Sequence, residues 1–564
     1  ASLPGPVDAA FVAVPAAAGP DLVEEAGRAG IGAVVVNANG YADGGAAGIA
    51  LQRRLEAVAA RHDIAIAGPN NIGFVNVRDR VALWSPRDMR ALVPGSVAMI
   101  SQSGSIALIL GEDERDLGLA YVITAGNEAN TTVAHYLEHV VADDRVETVL
   151  MFLETIRDPQ RFARAAESAA RQGKRIVVLK LGASAQGRQL VQAHTGSLAG
   201  EDRLYDAWFR SLGVIRVADL DEMLETATLL RGHPHSRRPG ATAMVTLSGG
   251  EAALIADLSG ELGLALPAIA PATPAAMRPA FPDHSTIANP VDAWGLGFNA
   301  DRFRIVLDAL IADPALDVIG FSVDAPGRGG GDVAYSCVMA EACVEALPRA
   351  AGKRLLFLNN TSGSGVNAEV RTVLERGGIP YLSGMRPALA AVRNLLRVTA
   401  IDGDASDAVA AGASATSNPS APSATASTPD VGTLLRAAEP ERFARLRAAG
   451  VPMTRSQVAV DAGHAVAIAG QYGYPVVLKG VADYLPHKSD LGLVALGLTD
   501  ADAVRAAWTQ LRGALDAHPP AAPGAITAGD GDGDRGDVVV QATAPEGVEL
   551  ILGVRNEPGF GSFI

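Results

Sequence analysis

The sequence predicts an α/β protein built from several doubly wound, largely parallel sheets, and two observations carry that prediction. Short strands of Val and Ile alternate with alanine-rich helical runs along most of the chain, the pattern that successive βαβ units produce. An internal repeat is also present. "VAMISQSGSIALIL" (Val97–Leu110) and "TAMVTLSGGEAALIADL" (Thr242–Leu258) both read as apolar strand, Ser-Gly turn and helix carrying Ala-Leu-Ile. Each copy is followed later by a strand opening on Gly-Lys-Arg, "GKRIVVLKLG" and "GKRLLFLNNT". At 564 residues the chain is too long for one core, and about three or four domains are expected.

The elements follow in order. "AAFVAVPA", "IGAVVVNA" and "DIAIAGP" predict strands, with helices from Asp21 to Ala29 and from Ala47 to Arg61, in a first region 1–94. Two doubly wound domains of one ancestry come next, 95–232 and 241–397. Residues 401–430 are mostly Ala, Ser, Thr and Pro, which predicts a flexible linker. In 431–564 a helix at Glu439–Ala449 leads to "VPMTRSQVAV", "YPVVLKG", "LGLVALGL" and "DVVVQAT", predicting a mixed-sheet domain with a Gly- and Asp-rich insert at Ala528–Asp537. The chain opens on an apolar strand and stops at a strand entering a turn, so a piece of a longer protein is expected.

Composition narrows the function. Hydrophobic content of 48% with 19% charged residues is ordinary for a globular chain. The net charge of -15 disfavours nonspecific binding to nucleic acid or to an anionic membrane. An anionic substrate stays admissible, because helix N-termini bind anions whatever the net charge. Only Cys337 and Cys343 are present, which excludes a disulfide framework and a cysteine-rich metal site. Both predict buried small residues of a reducing, cytoplasmic compartment. No uninterrupted apolar run approaches the ~18 residues of a membrane span.

Four sets of residues have chemistry to offer. Ser101-Gln102-Ser103-Gly104-Ser105 joins a strand directly to a helix, so its backbone N–H groups and the positive helix end predict an anion site. Ser248-Gly249-Gly250 repeats the arrangement, and two such helix ends suit one phosphoryl group. His194 stands before a Thr-Gly-Ser-Leu-Ala-Gly loop. Either it is a nucleophile that carries a phosphoryl group, or the loop is plain surface in which Thr195 or Ser197 caps the next helix. A nucleophilic imidazole needs its other nitrogen held, and Glu154, ending the apolar run "LMFLE", is the candidate partner at a strand end where ligands of such sheets gather. Lys479, closing "PVVLK", is costly if buried unless it meets an anion. His487 and Glu549 lie in polar surroundings nearby in sequence, and "GPNNIGFVN" places Asn70 in a Gly-Pro turn.

With these residues assembled, the chain resembles the NDP-forming (ADP-forming) acyl-CoA synthetases, within the succinyl-CoA synthetase-like superfamily. "GPNNIGFVN" is similar to the family's element beside the CoA site, "ISQSG" to its first phosphate-binding turn and "HTGSLAGEDRLYDAWFRSLGVIRV" to its phosphohistidine segment. "SGGEAAL" and "NPVDAWG" resemble the second phosphate-binding domain, and "YPVVLKGVADYLPHKSDLGLVALGL" resembles the opening of an ATP-grasp domain.

The resemblance implies a Rossmann-like CoA-binding domain truncated at its N-terminus, two flavodoxin-like domains and a partial ATP-grasp domain. It implies the reaction carboxylate + CoA + ATP to acyl-CoA + ADP + phosphate, with ATP, CoA and Mg²⁺ required. His194 is then the phosphohistidine, Glu154 its orienting carboxylate and His487 a second histidine that ferries the phosphoryl group. Ser103, Gly104, Ser105, Gly249 and Gly250 would hold phosphate, Pro69 and Asn70 CoA, and Lys479, Gln541 and Glu549 the nucleotide. The partners are a small carboxylic acid, CoA and ATP, with neither nucleic acid nor membrane, and a homo-oligomer is compatible. The family's opening glycine turn for the CoA phosphates and its Mg²⁺ carboxylates are not in this sequence, so weak turnover is expected of these residues alone. "GNEAN" (Gly126–Asn130) departs from the family's acidic loop, leaving the acyl pocket open, whereas "SGGEAAL" points towards larger or aromatic acids. The alternative is a CoA- or acyl-CoA-binding regulatory module related to acetyltransferase-fused homologues. Retention of both His194 and His487 favours the enzyme.

Overall fold

The computed structural model describes residues 5–86, 92–195, 202–231, 241–293, 297–327, 333–350, 352–398, 439–448, 453–482, 485, 491–518, 536–544, 555–557 and 561–563. The chain divides into two compact units, with Ser417–Gly553 forming the second.

The first unit starts with a small parallel sheet of β1 (Ala9–Val12), β2 (Ala33–Val36) and β3 (Ala65–Ala67). Helices Gly19–Arg28 and Gly45–His62 connect these strands. β4 (Gly73–Asn76) and β5 (Val81–Trp84) do not extend this sheet. They join antiparallel to the next one, through Phe74–Ile123 and Val75–Val122 pairs. That sheet also holds β6 (Pro94–Ser101), β7 (Leu119–Thr124), β8 (Thr148–Leu153), β9 (Arg175–Lys180) and β10 (Ile215–Val217), in the order β10-β9-β8-β6-β7-β4-β5. Alternation along β6 explains why both faces are covered. Val97 and Met99 point into a core shared with helix Leu220–Leu230. Ala98 and Ile100 point the other way, into the core of helices Val133–Ala142 and Pro159–Arg171. Each such fully buried aliphatic contributes about 1.5–3 kcal/mol.

The second lobe of this unit is a parallel sheet of β11 (Ala241–Thr246), β12 (Val291–Asp292), β13 (Leu316–Ser322), β14 (Arg354–Leu358) and β15 (Tyr381–Leu382), in the order β12-β11-β13-β14-β15. A polar clasp ties the lobes together. Asn394, 3% exposed on the helix 385–398, donates to Glu222 Oε1 at 2.9 Å and to Thr226 Oγ1 at 3.1 Å on helix Leu220–Leu230. Arg393 reaches the same Glu222 oxygen at 2.5 Å.

The second unit is an antiparallel sheet, β16 (Ser456–Ala459), β17 (Val476–Val481), β18 (Val494–Leu498) and β19 (Asp537–Ala542), in the order β16-β19-β17-β18. The expected mixed sheet is thus corrected: every pairing among the described strands is antiparallel. One face, with Val476, Leu478, Val538 and Val540, packs on helices Ala462–Tyr472 and Ala501–Asp516. Among the described residues no helix is long and apolar enough to cross a membrane.

Candidate active site

The first Ser-Gly turn sits at the C-terminal end of β6, in the middle of the seven-stranded sheet. Ser103 caps helix Gly104–Gly111, its hydroxyl accepting from Ile106 N at 3.5 Å. The N–H groups of Gly104 and Ser105 have no partner among the described residues, so the helix end keeps donors for an anion. The neighbouring β8 ends at Leu153, and Glu154 follows at once, 8% exposed.

Gln102 joins these two strand ends, a role that sequence reasoning missed. Its carbonyl accepts from the backbone N–H of Glu154 at 2.5 Å and of Thr155 at 3.0 Å. Its amide donates to the Thr155 carbonyl and to Glu128 Oε1, both at 2.9 Å. Glu128 was missed as well. It lies in the Gly126–Asn130 loop with φ +54°, is 2% exposed, and accepts from Val133 N at 2.9 Å. Burial pushes its carboxyl up to about 7, against the pull of the Val133 and Gln102 hydrogen bonds and of Arg157, whose Nε lies 3.6 Å away. The only sequence signal was that this loop departs from the acidic family pattern.

The Gly-Pro turn packs on the same loop. Asn127 N donates to the Pro69 carbonyl at 2.8 Å and Ala129 N to that of Gly68 at 2.9 Å. A Cβ on Gly126 would lie 2.2 Å from the Pro69 carbonyl, so only glycine fits there. Asn70, at φ +56°, turns its amide to Asn127 Oδ1 at 3.4 Å. Asn70, Gln102, Asn127, Glu154, Thr155 and Arg157 thereby line one small cavity of about 20 Å³.

The backbone of His194 belongs to the last turn of helix Ala185–Thr195. Residues 196–201 and the His194 side chain lie outside the described residues.

The second Ser-Gly turn follows β11. Ser248 caps helix Gly249–Leu262 by accepting from Glu251 N at 3.3 Å. Glu251 reaches back to Thr246 Oγ1 and to Leu247 N, the latter at 3.2 Å, while Asn360 donates to its other oxygen at 3.0 Å. The Ser-x-x-Glu spacing is that of a capping box, but only the Ser248 half is made, because Glu251 accepts from Leu247 N, one residue before the cap. Gly249 faces Asp292, whose Oδ2 would lie 3.4 Å from a Cβ there.

In the second unit Lys479 pairs with Val539 and Val477 with Gln541, so Lys479 and Gln541 share the face turned away from the core. Lys479 is half-buried, and Gln541 Nε2 donates to Thr454 Oγ1 at 2.5 Å. His487 and Glu549 lie outside the described residues. Among the described residues no group of three His, Cys, Asp or Glu side chains is arranged to hold a cation.

A doubly wound lobe with an open helix end beside a buried carboxylate defines a class of protein that handles small anions at a sheet's C-terminal edge. Comparison with known proteins is more specific. Residues 94–230 match the model of a succinyl-CoA ligase like flavodoxin domain, and 433–564 match an ATP-grasp domain. An ADP-forming acetate–CoA ligase of Archaeoglobus fulgidus is 30% identical over 569 residues, covering 100% of this chain and 77% of that protein. A trans-feruloyl-CoA synthase from an unknown prokaryotic organism is also 30% identical, covering 100% and 76%. The fold is that of the dinucleotide forming acetyl-coenzyme A synthetase 1 of Ca. Korarchaeum cryptofilum, solved with phosphate and ADP. That match has 22% identity and TM-score 0.61, covering 71% of this chain and 84% of that one. The chain belongs to the ADP-forming acyl-CoA ligase family, the acid–thiol ligases that contain these two domain types.

Proposed function

We propose that the protein converts a carboxylic acid, CoA and ATP into acyl-CoA, ADP and phosphate through a phosphohistidine at His194. The observation that carries this reading is the cavity where Glu154 and Gln102 meet beside the open helix end at Gly104 and Ser105. In this reading 1–94 binds CoA, with Pro69 and Asn70 contributing. Residues 95–232 carry the phosphohistidine, 241–397 supply the second helix end at Gly249 and Gly250, 401–430 are a tether, and 431–564 bind the nucleotide.

Glu154 holds one imidazole nitrogen of His194, so the other is the nucleophile. The Gly104 and Ser105 N–H groups and the Ser103-capped helix end neutralise the phosphoryl charge, which is most of what phosphoryl transfer asks of a protein. His487 receives the γ-phosphoryl group first, with Lys479, Gln541 and Glu549 around the nucleotide, and passes it to His194. The acid's carboxylate oxygen then takes the phosphoryl group, freeing His194. Attack of the CoA sulfur on the acyl phosphate forms the thioester and releases phosphate. Mg²⁺ would neutralise charge on the nucleotide, and among the described residues no group of three His, Cys, Asp or Glu side chains is arranged to hold it. Cys337 and Cys343, both free thiols, support a cytoplasmic location. The relatives are named for acids as different as acetate and ferulate.

Incubation with γ-labelled ATP tests the reading. Acid-labile, base-stable label is expected on His194 and should be discharged by substrate acid plus CoA. His487→Ala should lose that label from ATP but keep it when acyl-CoA and phosphate are the donors. Undiminished acyl-CoA synthesis by His194→Ala overturns the assignment.

A further inference from the structure

A cavity of about 760 Å³ runs along the free edge of β10, between the first lobe and the helix 385–398. None of its lining residues lines the Asn70–Glu154 cavity. It also lies two strands over from β8, which leads to Glu154. We propose that this seam cavity is a second anion site, which takes a phosphorylated organic anion carrying two or more negative charges.

The argument begins with charge. In a chain of net charge -15, this cavity is lined by five cations, Lys180, Arg210, Arg216, Arg393 and Arg397 among them, against three carboxylates. Those carboxylates are already spoken for. Arg216 bonds to Asp202 and, at 2.6 Å, to Asp206. Arg393 holds Glu222 at 2.5 Å. Arg210 and Arg397 have no ion-pair partner among the described residues, and Lys180 donates only to the Leu181 carbonyl, at 2.7 Å, with its ammonium 4.5 Å over the Tyr205 ring. Three cations without an ion pair among the described residues, in a lining of two net positive charges, therefore face one space.

Their mutual repulsion is visible in the titration behaviour. Burial, then the charges of Arg393 and Arg210, hold the Arg397 guanidinium below its usual range. Burial and Arg216 hold Lys180 down to about 8. An anion with several oxygens relieves that repulsion and offers guanidinium groups their preferred bidentate partner.

Shape and rigidity point the same way. The volume falls in the range of small-molecule sites, about 300–1,000 Å³, and exceeds what a bare phosphate fills. Phe209, Val214, Leu262 and Val398 supply apolar wall for an organic body. The site is also pre-formed, because the Asn394–Glu222–Thr226 clasp fixes the two walls, which lowers the ordering cost of binding.

Calorimetry with adenosine 3′,5′-bisphosphate as probe tests this, with inorganic pyrophosphate as a second arm. The double variant Arg210→Gln/Arg397→Gln removes two exposed, unpaired charges, so its unfolding midpoint should match wild type. The wild type is expected to bind the bisphosphate, and the double variant at least about tenfold more weakly, whereas Arg210→Lys/Arg397→Lys retains most of the affinity. Pyrophosphate should bind more weakly than the bisphosphate but respond to the same variants, since it meets the cations and not the apolar wall. Equal affinity of wild type and the glutamine variant for both probes overturns the proposal.

Discussion

In the first Ser-Gly turn Gln102 sends its side chain away from the helix, to Glu128 and to the loop of Glu154. In the second, Glu251 bends back over its own turn to Thr246, Leu247 and Asn360. The two share a strand, a serine cap and a helix beginning on glycine. Their difference lies in where the neighbouring polar side chain goes. A neutral amide that builds a wall elsewhere leaves the helix end electropositive. A carboxylate drawn into the first turn neutralises that end from within. The two turns thus differ in charge: the first keeps its full positive helix end, and the second carries a carboxylate against its own.

The widest break in that comparison should come from Glu154. In the proposed mechanism Glu154 orients the His194 ring, so Glu154→Gln, which keeps the volume and loses the carboxylate, should lower kcat about 10²–10³-fold, with KM for the acid little changed. Wild-type kcat in steady-state assays of this variant would remove Glu154 from the site.

A stability effect of about 3 kcal/mol is expected from Glu128 as pH changes. Its carboxyl rises from 4.5 to about 7 on folding, so between those values the folded state keeps a proton that the unfolded chain releases. Stability is therefore present in full below pH 4.5 and is lost as pH rises to 7. Glu225, buried and likewise raised to about 7, adds a similar slope. Denaturant titrations of Glu128→Gln across this window should show roughly half the wild-type slope, because Glu225 still contributes. An unaltered slope would mean that Glu128 is charged in the fold.

The smallest effects compare the turns directly. Gln102→Leu removes the side-chain partner of two backbone N–H groups and a carbonyl and takes one of two donors from Glu128, and should cost about 1–3 kcal/mol along with much of kcat. Glu251→Gln keeps an acceptor for Leu247 N and should change stability by less than about 1 kcal/mol. By relieving a negative charge at the second helix end, it should tighten inorganic phosphate binding. If it loosens phosphate instead, the two turns do not differ in the way described.

Much of the architecture could be read from one dimension because it is local. Apolar runs mark β6, β8, β9, β11 and β14, and serine before glycine marks both helix starts. Ser248-Gly249-Gly250-Glu251 carries capping-box spacing, although Glu251 bonds one residue before the cap. What escaped was set by distant packing. β4 and β5 lie within the first region, yet β4 pairs with β7 and β5 with β4, because Asn71, bonded to the Thr124 carbonyl at 2.6 Å, ties the start of β4 to the next sheet. Gln102 gave no signal of its own, because its four side-chain hydrogen bonds reach three residues 26 to 53 positions away. Glu128 was hidden for the same reason. No pattern in five residues announces that a carboxylate will be sealed inside.

The clasp between Asn394, Glu222 and Thr226 bears on how the protein works as a machine. A buried amide bonded to a carboxylate and a hydroxyl is not undone cheaply, since parting the lobes would strand all three groups. The helix after β10 and the last helix of the second lobe are therefore fastened by buried polar groups, and pulling them apart costs about 1–3 kcal/mol for each group left unpaired.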